Sequence, residues 1–197
     1  MNKAFQLALA AFLPLAACAS APGAVAAQTG VPVGEFDAIE LIGGGHVVIR
    51  HGSTHRVTLL RGDLQTSSIA LGSGRGNDRS LEIRACRRSC RDYDLRVEIV
   101  TPDVEALAVT GGGTIDLEGP FPAQRSVALA VTGGGDIDAR QLGAADVAAA
   151  VHGGGMIRTR PRSNLAASVS GGGAIVYSGD PEVTSSVQGG GSVSRGD

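Results

Sequence analysis

Hydrophobic and polar positions alternate along residues 105–197, and the alternation is organised around repeated Gly-Gly-Gly triplets. A Val stands two positions before each triplet, and Ile or Val stands two positions after it. Because strand side chains alternate between two faces, both columns point to the same side. Each unit is therefore predicted to contain two short strands, one entering the triplet and one leaving it. The five triplets are spaced 22, 20, 18 and 18 residues apart and begin at Gly111, Gly133, Gly153, Gly171 and Gly189.

A repeat of this length indicates stacked supersecondary units. Stacking equivalent strands in parallel gives an all-β fold, a parallel β-solenoid with two short strands per unit and a dry interior. The outward column just before the triplets is polar, which predicts a solvated outer surface. Glycine avoids a side-chain clash where triplets stack. No triplet is followed by the Lys-Ser/Thr pair that a phosphate-binding loop requires, so a structural role is favoured.

Residues 35–104 show shorter strand patterns separated by Gly, Asn and Asp. We treat 35–197 as a single domain, with irregular strands over 35–104 and regular repeats over 105–197. Period-two alternation or β-branched runs predict strands at Ala38–Ile42, His46–Arg50, Arg56–Leu60, Ser67–Leu71, Ser80–Arg84 and Asp94–Val100.

The chain begins with a pattern typical of export. Residues 1–17 carry a short basic start and an apolar run too short to span a membrane as a helix. Leu15-Ala16-Ala17-Cys18 is similar to a bacterial lipobox, in which the Cys18 thiol is lipidated. Ordinary cleavage near Ala26 or Ala27 is the alternative. Residues 18–34 are small and uncharged and are predicted to be a tether. We expect an outer-membrane lipoprotein or a periplasmic protein.

Composition narrows the classes of function. Lys3 is the only Lys, so 16 Arg stand against 19 acids after the signal, a net charge of −3. This balance argues against a nucleic-acid partner. Aromatic residues make up 3% of the chain, and there is no Trp. Sugar-processing clefts ordinarily use aromatic platforms, so this poverty weighs against such an enzyme.

From Phe36 to Val193 the chain resembles the GIN-domain family of bacterial envelope proteins, labelled as auto-transporter adhesin head domains. The resemblance implies a right-handed parallel β-helix and no established activity. The family more often has Ser or Ala at the middle of the triplet. The resemblance rests on the Gly-x-Gly-x-Ile/Val repeats and on Phe36–Ile39, Leu81–Ile83, Val97–Pro102 and Gly179–Val183.

Three carboxylates form the most enzyme-like cluster. Asp136 and Asp138 flank Ile137 and share the outer face, roughly 6.6 Å apart along the strand. Asp116 takes the place of Asp138 one unit earlier, roughly 4.8 Å away in a stack. Such spacing is compatible with glycoside hydrolysis, lyase chemistry or calcium binding. The favoured interpretation is an outward charge ladder in which Arg158 neutralises Asp138.

A basic loop is the second candidate. Cys86 and Cys90 are predicted to form a disulfide in an oxidising compartment, which leaves Cys18 unpaired. Two Cys with no nearby His make an incomplete zinc site, and we predict neither a metal nor a cofactor. The arginines around the two Cys could bind anionic groups, although a solvated hairpin tip is the simpler interpretation. They are Arg84, Arg87, Arg88 and Arg91.

The sequence thus predicts a non-enzymatic envelope protein of interaction or structural type. An envelope glycan or a surface protein is the expected class of partner. The alternative is a polysaccharide-active hydrolase or lyase that uses Asp116, Asp136 and Asp138. A lipid on Cys18 would attach the protein to the membrane.

Overall fold

The computed structural model describes residues 28–72, 79–87 and 94–196, and all regular secondary structure in these ranges is β-strand. This confirms the predicted all-β class. The strands are β1 Thr29–Val31, β2 Ala38–Gly43, β3 His46–His51, β4 Arg56–Arg61, β5 Ser68–Leu71, β6 Ser80–Arg84, β7 Arg96–Thr101, β8 Ala106–Gly111, β9 Thr114–Glu118, β10 Gln124–Gly133, β11 Asp136–Ala139, β12 Ala144–Gly153, β13 Met156–Thr159, β14 Asn164–Gly171, β15 Ala174–Tyr177, β16 Glu182–Gln188 and β17 Ser192–Arg195.

The strands form two sheets. Sheet A has nine strands in the order β1-β4-β7-β3-β9-β11-β13-β15-β17, and sheet B has eight in the order β16-β14-β12-β10-β8-β2-β6-β5. Each repeat unit contributes the strand before its triplet to sheet B and the strand after it to sheet A. Both strands of a unit therefore pair with equivalent strands of the neighbouring unit.

The repeats pair in parallel and in step. Val131 is opposite Val151 in sheet B, and Ile137 is opposite Ile157 in sheet A. All four side chains are fully buried, which confirms that the columns before and after the triplets line the interior. The core is made of Val, Ile, Leu and Ala, which pack well on the pleated faces of strands.

The first triplet of the chain, Gly43–Gly45, belongs to the same stack. Gly43 is opposite Gly111 in sheet B, and Val47 is opposite Ile115 in sheet A. The sequence predicted β2 and β3 to be among the irregular strands of residues 35–104. This register instead places them in the same stack as the regular repeats. The strands β6 and β7 pair with the other side of β2 and β3. The order of units in space thus differs from their order along the chain.

The sheets are not purely parallel. β4 pairs with β7, β1 with β4, and β5 with β6, all antiparallel. These strands lie at the end of the stack away from the last repeat. β1 falls inside the segment 18–34 that was predicted to be a tether, so part of that segment is a strand of sheet A.

The corners explain why the triplets are glycine. In the second repeat, Gly133 has a φ of +114°, and a methyl group on it would lie 2.7 Å from the carbonyl oxygen of Gly111. A methyl group on Gly135 would lie 2.6 Å from the carbonyl oxygen of Gly113. Gly134 has no atom within 4 Å of such a position. Only the first and third positions therefore require glycine.

Candidate functional site

The acidic cluster lies on the outer face of sheet A. Asp116 and Asp138 are directly opposite in adjacent strands, and Asp136 shares their face two residues before Asp138. The sequence analysis placed these three carboxylates correctly relative to one another. The buried residue between them, Ile137, fixes this outward orientation.

Two of the three carboxylates contact a basic side chain. Asp116 lies 2.7 Å from the ring nitrogen Nε2 of His46. Asp138 accepts a hydrogen bond of 2.9 Å from Nε of Arg140, which lies two residues further along the chain, just after the end of β11. The predicted partner, Arg158, is opposite Asp138 and contributes only its charge. The main partner of Asp138 is therefore Arg140, because the Arg140 side chain is close enough to donate hydrogen bonds directly to the Asp138 carboxylate.

These contacts determine the charge state of Asp138. Partial burial acts to raise the pKa of Asp138, but the hydrogen bonds and positive charge of Arg140, with the charge of Arg158, outweigh it. The pKa of Asp138 therefore lies below its ordinary value. A carboxyl held in this way stays ionised and suits an ion pair better than a general acid, which requires a raised pKa.

The remaining charges on this face continue the ladder. Arg50 bridges Glu98 and Glu118 from the neighbouring strands. Among the described residues, no group of three or more His, Cys, Asp or Glu is placed to hold a metal ion. The outer face of sheet A around β3, β7, β9 and β11 thus carries charged side chains that are mostly partnered.

The basic loop is described only in part. Arg84 pairs with Glu82, and Nε of Arg87 donates to the carbonyl oxygen of Ser67 at 2.9 Å. Both side chains have partners within the protein. Arg88 and Arg91, also predicted as anion-binding residues, lie outside the described residues.

Of the cysteines, only Cys86 lies within the described residues. Cys86 is disulfide-bonded. Its predicted partner Cys90 and the predicted lipidation site Cys18 lie outside the described residues. The pairing of Cys86 with Cys90 stays a prediction.

A second surface, on sheet B, was missed by the sequence analysis. The outward columns of β8, β10, β12 and β14 are built mostly from alanine, and we call them, with their continuation in β16, the alanine face. All these side chains are exposed or half-exposed. A solvated outer surface was predicted from the polar column before the triplets, and the two neighbouring outward columns are also exposed, but their side chains are mostly apolar. The alanine face consists of Ala106, Ala108, Ala128, Ala130, Ala148, Ala150, Ala166, Ser168, Thr184 and Ser186.

The alanine face forms a shallow open groove of about 540 Å³. Its floor is the backbone of five parallel strands held in step. No charged or aromatic side chain lines it. The signal in the sequence is the repeated Ala-Leu-Ala-Val or its variant, in which every second residue is buried and the intervening residue is Ala. Such a surface offers shape and apolar contact and few hydrogen-bonding groups.

Two further grooves are lined in part by charged side chains. One of about 350 Å³ is lined by Arg140, Gln141, Arg160, Ser178 and Gly179 at the loops between units. None of the three grooves is lined by Asp116, Asp136 or Asp138. The other groove lined in part by charged side chains, of about 430 Å³, lies beside Arg50, His51, Glu118, Gly119 and Pro120.

Comparison with protein families gives one match. Residues 122–181 match the family described as "Putative auto-transporter adhesin, head GIN domain". This confirms the family resemblance over that segment, which spans β10 to the turn after β15. No curated protein matches the chain.

Comparison with solved structures gives matches to proteins described as putative adhesins. A putative adhesin from Bacteroides fragilis superposes with a TM-score of 0.54 at 17% identity, over 86% of this chain and 96% of that one. A putative adhesin from Parabacteroides merdae gives 0.40 at 14% identity, over 87% and 96% of the two chains. The Bacteroides structure supports the all-β fold. Within the described ranges, no helix is long and apolar enough to cross a membrane.

Proposed function

We propose, from the GIN-domain match over residues 122–181, that this chain is an exported cell-envelope interaction protein that binds an apolar segment of another envelope protein on its alanine face. The single observation that carries the proposal is the alanine face itself. Outward positions of strands on a solvated face are ordinarily polar, and contiguous apolar patches mark interaction surfaces.

A protein segment suits this groove better than a glycan. Sugars are recognised by aromatic stacking and by dense hydrogen bonding, whereas the groove has no aromatic side chain and carries hydroxyl groups only toward β16, on residues such as Ser168 and Thr184. Small side chains let another backbone approach closely, so apolar side chains of a partner can fill the groove. Its volume of about 540 Å³ lies in the range of sites that hold a few such groups.

The architecture that presents this face is, we propose, a right-handed parallel β-helix. The in-step parallel pairing of both strands in each repeat supports it. Parallel crossover connections are right-handed in nearly all proteins, which supports the hand. An experimental structure would test this directly, and a left-handed stack would contradict it.

We also propose that Cys18 is lipidated and anchors the protein to a membrane. The lipobox-like Leu15–Cys18 stands at the end of the apolar run that begins at Ala4. Mass spectrometry of the mature N-terminus tests this, since an unmodified start near Gln28 would contradict it. An anchor would hold the domain at the envelope with the alanine face available to a neighbour.

The binding proposal is tested with Ala130→Arg, which places a long charged side chain in the middle of the groove. The purified protein is added to envelope fragments of the producing cell, and bound protein is measured against concentration. We expect saturable binding by the wild type and loss of binding by Ala130→Arg. The matched control is Ala174→Arg, the same change on the outward face of sheet A, which should bind normally.

Pretreatment of the fragments separates the partner classes. Protease should abolish binding, whereas periodate oxidation of sugars should leave it intact. Binding that survives protease and is lost after periodate would replace the protein partner with a glycan. Equal binding by wild type and Ala130→Arg would overturn the role of the alanine face.

A further inference from the structure

The two ends of the stack are built differently. At one end the sheets finish in short antiparallel strands, the three-residue β1 on sheet A and the four-residue β5 on sheet B. At the other end both sheets finish in the last repeat, where β16 pairs with β14 and β17 with β15. We call β16 and β17 the open end. Among the described residues, each has one neighbouring strand and one free edge.

The interior is exposed at the open end. Val187 continues the buried column of Val151 and Val169, yet 43% of it is exposed, against 1% for Val169. Val183 and Val193 are only partly buried, although the residues opposite them, Leu165 and Ile175, are buried. Within the part of the chain that the structure describes, no further strand covers the last repeat, whereas each earlier repeat is covered by its neighbour.

Between their end residues, the two open edge strands carry no charged residue and no Pro. Natural edge strands are blocked by Lys, Pro, bulges or inward charges. Between Glu182 at the start of β16 and Arg195 at the end of β17, the two strands contain Val, Thr, Ser and Gln. The row of free backbone groups is therefore available for pairing.

We propose that the open end binds the open end of a second copy of this chain, which forms a two-fold symmetric dimer with both sheets continuous across the interface. A two-fold axis that is normal to sheet B and passes midway between the two copies of Ser185 pairs β16 with its copy antiparallel. Val183 then lies opposite Val187 of the other copy, on the inner face. Glu182 lies opposite Gln188, so no like charges meet.

The sequence of β16 is therefore complementary to itself. Its two Val residues are equidistant from Ser185, and its one charge faces a neutral amide. The same axis brings β17 beside its own copy in sheet A, because both free edges lie at one end. A head-to-tail contact would instead place these strands against the short antiparallel strands β1 and β5. Closed two-fold interfaces are also the commonest kind in soluble oligomers.

This dimer goes beyond the proposed binding function and does not depend on it. If both hold, sheet B of one copy continues into sheet B of the other, and two alanine faces join into one surface. Two joined sites would engage a repeated partner more strongly than one. Ala130→Arg should leave the dimer intact, so the two proposals fail separately.

The first test is the mass of the full chain in solution, measured by sedimentation against concentration. The wild type should form a dimer, and Val187→Lys should raise its dissociation constant at least about tenfold, because the interface would bury an unpaired charge. The control is Leu71→Lys, at the opposite end of sheet B and almost equally exposed at 41%. It should dimerise like the wild type. A wild type that stays monomeric, or equal loss in both variants, would overturn the proposal.

The second test fixes the register and does not rely on Val187→Lys folding. Ser185→Cys places its thiol opposite itself across the axis, within the roughly 4.4–6.8 Å between Cα atoms that a disulfide spans. Mild oxidation should convert it to a covalent dimer. Thr184→Cys, which faces Ser186 of the other copy, should cross-link far less, as should the unmodified chain. Equal cross-linking of the two Cys variants would contradict this register.

Discussion

The outer faces of sheet A and sheet B rest on the same interior and carry opposite chemistry. On sheet A the outward residues include charged and polar side chains that contact each other, with His46 beside Asp116 and Arg140 beside Asp138. On sheet B two outward columns are mostly alanine. The buried columns beneath both faces are equally apolar and in step.

This difference separates what the fold requires from what it leaves open. The inner columns and the first and third glycines are constrained by packing. The outward columns have solvent on one side, so packing does not select their side chains. A face of charged and polar side chains follows the ordinary preference for polar surface, and an alanine face departs from it. The departure makes sheet B the more informative surface for function.

The largest effect is expected from a substitution at a glycine corner, which connects the strands of the two sheets. Gly133→Ala should destabilise the protein by about 1–3 kcal/mol from its positive φ alone, with the clash against Gly111 adding to this. Gly134→Ala, one position along, meets no atom and should stabilise by about 0.4–1 kcal/mol through the unfolded chain. Denaturant unfolding of both variants gives the two free energies.

The contrast between the two variants is the result that matters. Equal destabilisation by Gly133→Ala and Gly134→Ala would mean that the middle glycine is also required. The corners would then be tighter than the present geometry, and the usual Ser or Ala of the family would not be tolerated in this chain.

The repeats of residues 105–197 could be predicted from the sequence, but the order of all the units in space could not. Val and Ile at fixed distances from each triplet predicted the buried columns, because period two and a dry interior leave one arrangement. The unit around Gly43–Gly45 obeys the same rule, with Leu41 before the triplet and Val47 after it. It was missed because 68 residues separate Gly43 from Gly111, whereas the other triplets are 18 to 22 residues apart.

The site was harder to predict for a different reason. The positions of Asp116, Asp136 and Asp138 followed from strand alternation, but their partners depend on side-chain reach. Register alone suggested Arg158 for Asp138, and the closer contact is made by Arg140. The alanine face is visible in the sequence as Ala at alternate positions. Single alanines are common in any sequence, however, and they form a continuous surface only when the strands that carry them are stacked.

A smaller effect sharpens the contrast between the two faces. Ala is a poor strand former, so Ala130→Thr should raise the free energy of unfolding by up to about 1 kcal/mol if the outward column is free of packing demands. Thr114→Ala, the reverse change on the outer face of sheet A, should lower it by a similar amount. Both are measured by denaturant unfolding. A loss of stability in Ala130→Thr would show that packing selects alanine there, which would remove the main reason to assign that face to binding.

The smallest expected effect concerns the charges of sheet A. Asp138→Asn removes the ion pair with Arg140 and should cost at most about 1 kcal/mol near neutral pH, because both partners are partly solvated. The pKa of Asp138 is lower in the folded protein than in the unfolded chain, so its contribution is present above the unfolded pKa. The contribution is lost as the pH falls through the lower folded value. The free energies of unfolding of the wild type and of Asp138→Asn should therefore differ near pH 7 and converge in acid.

Asp136→Asn is the control, since Asp136 makes no side-chain hydrogen bond or ion pair among the described residues. Its effect on the free energy of unfolding should be close to zero at both pH values. A large, pH-independent loss in Asp138→Asn would show that the carboxylate does more than balance charge, and the ladder would no longer be a sufficient account of sheet A.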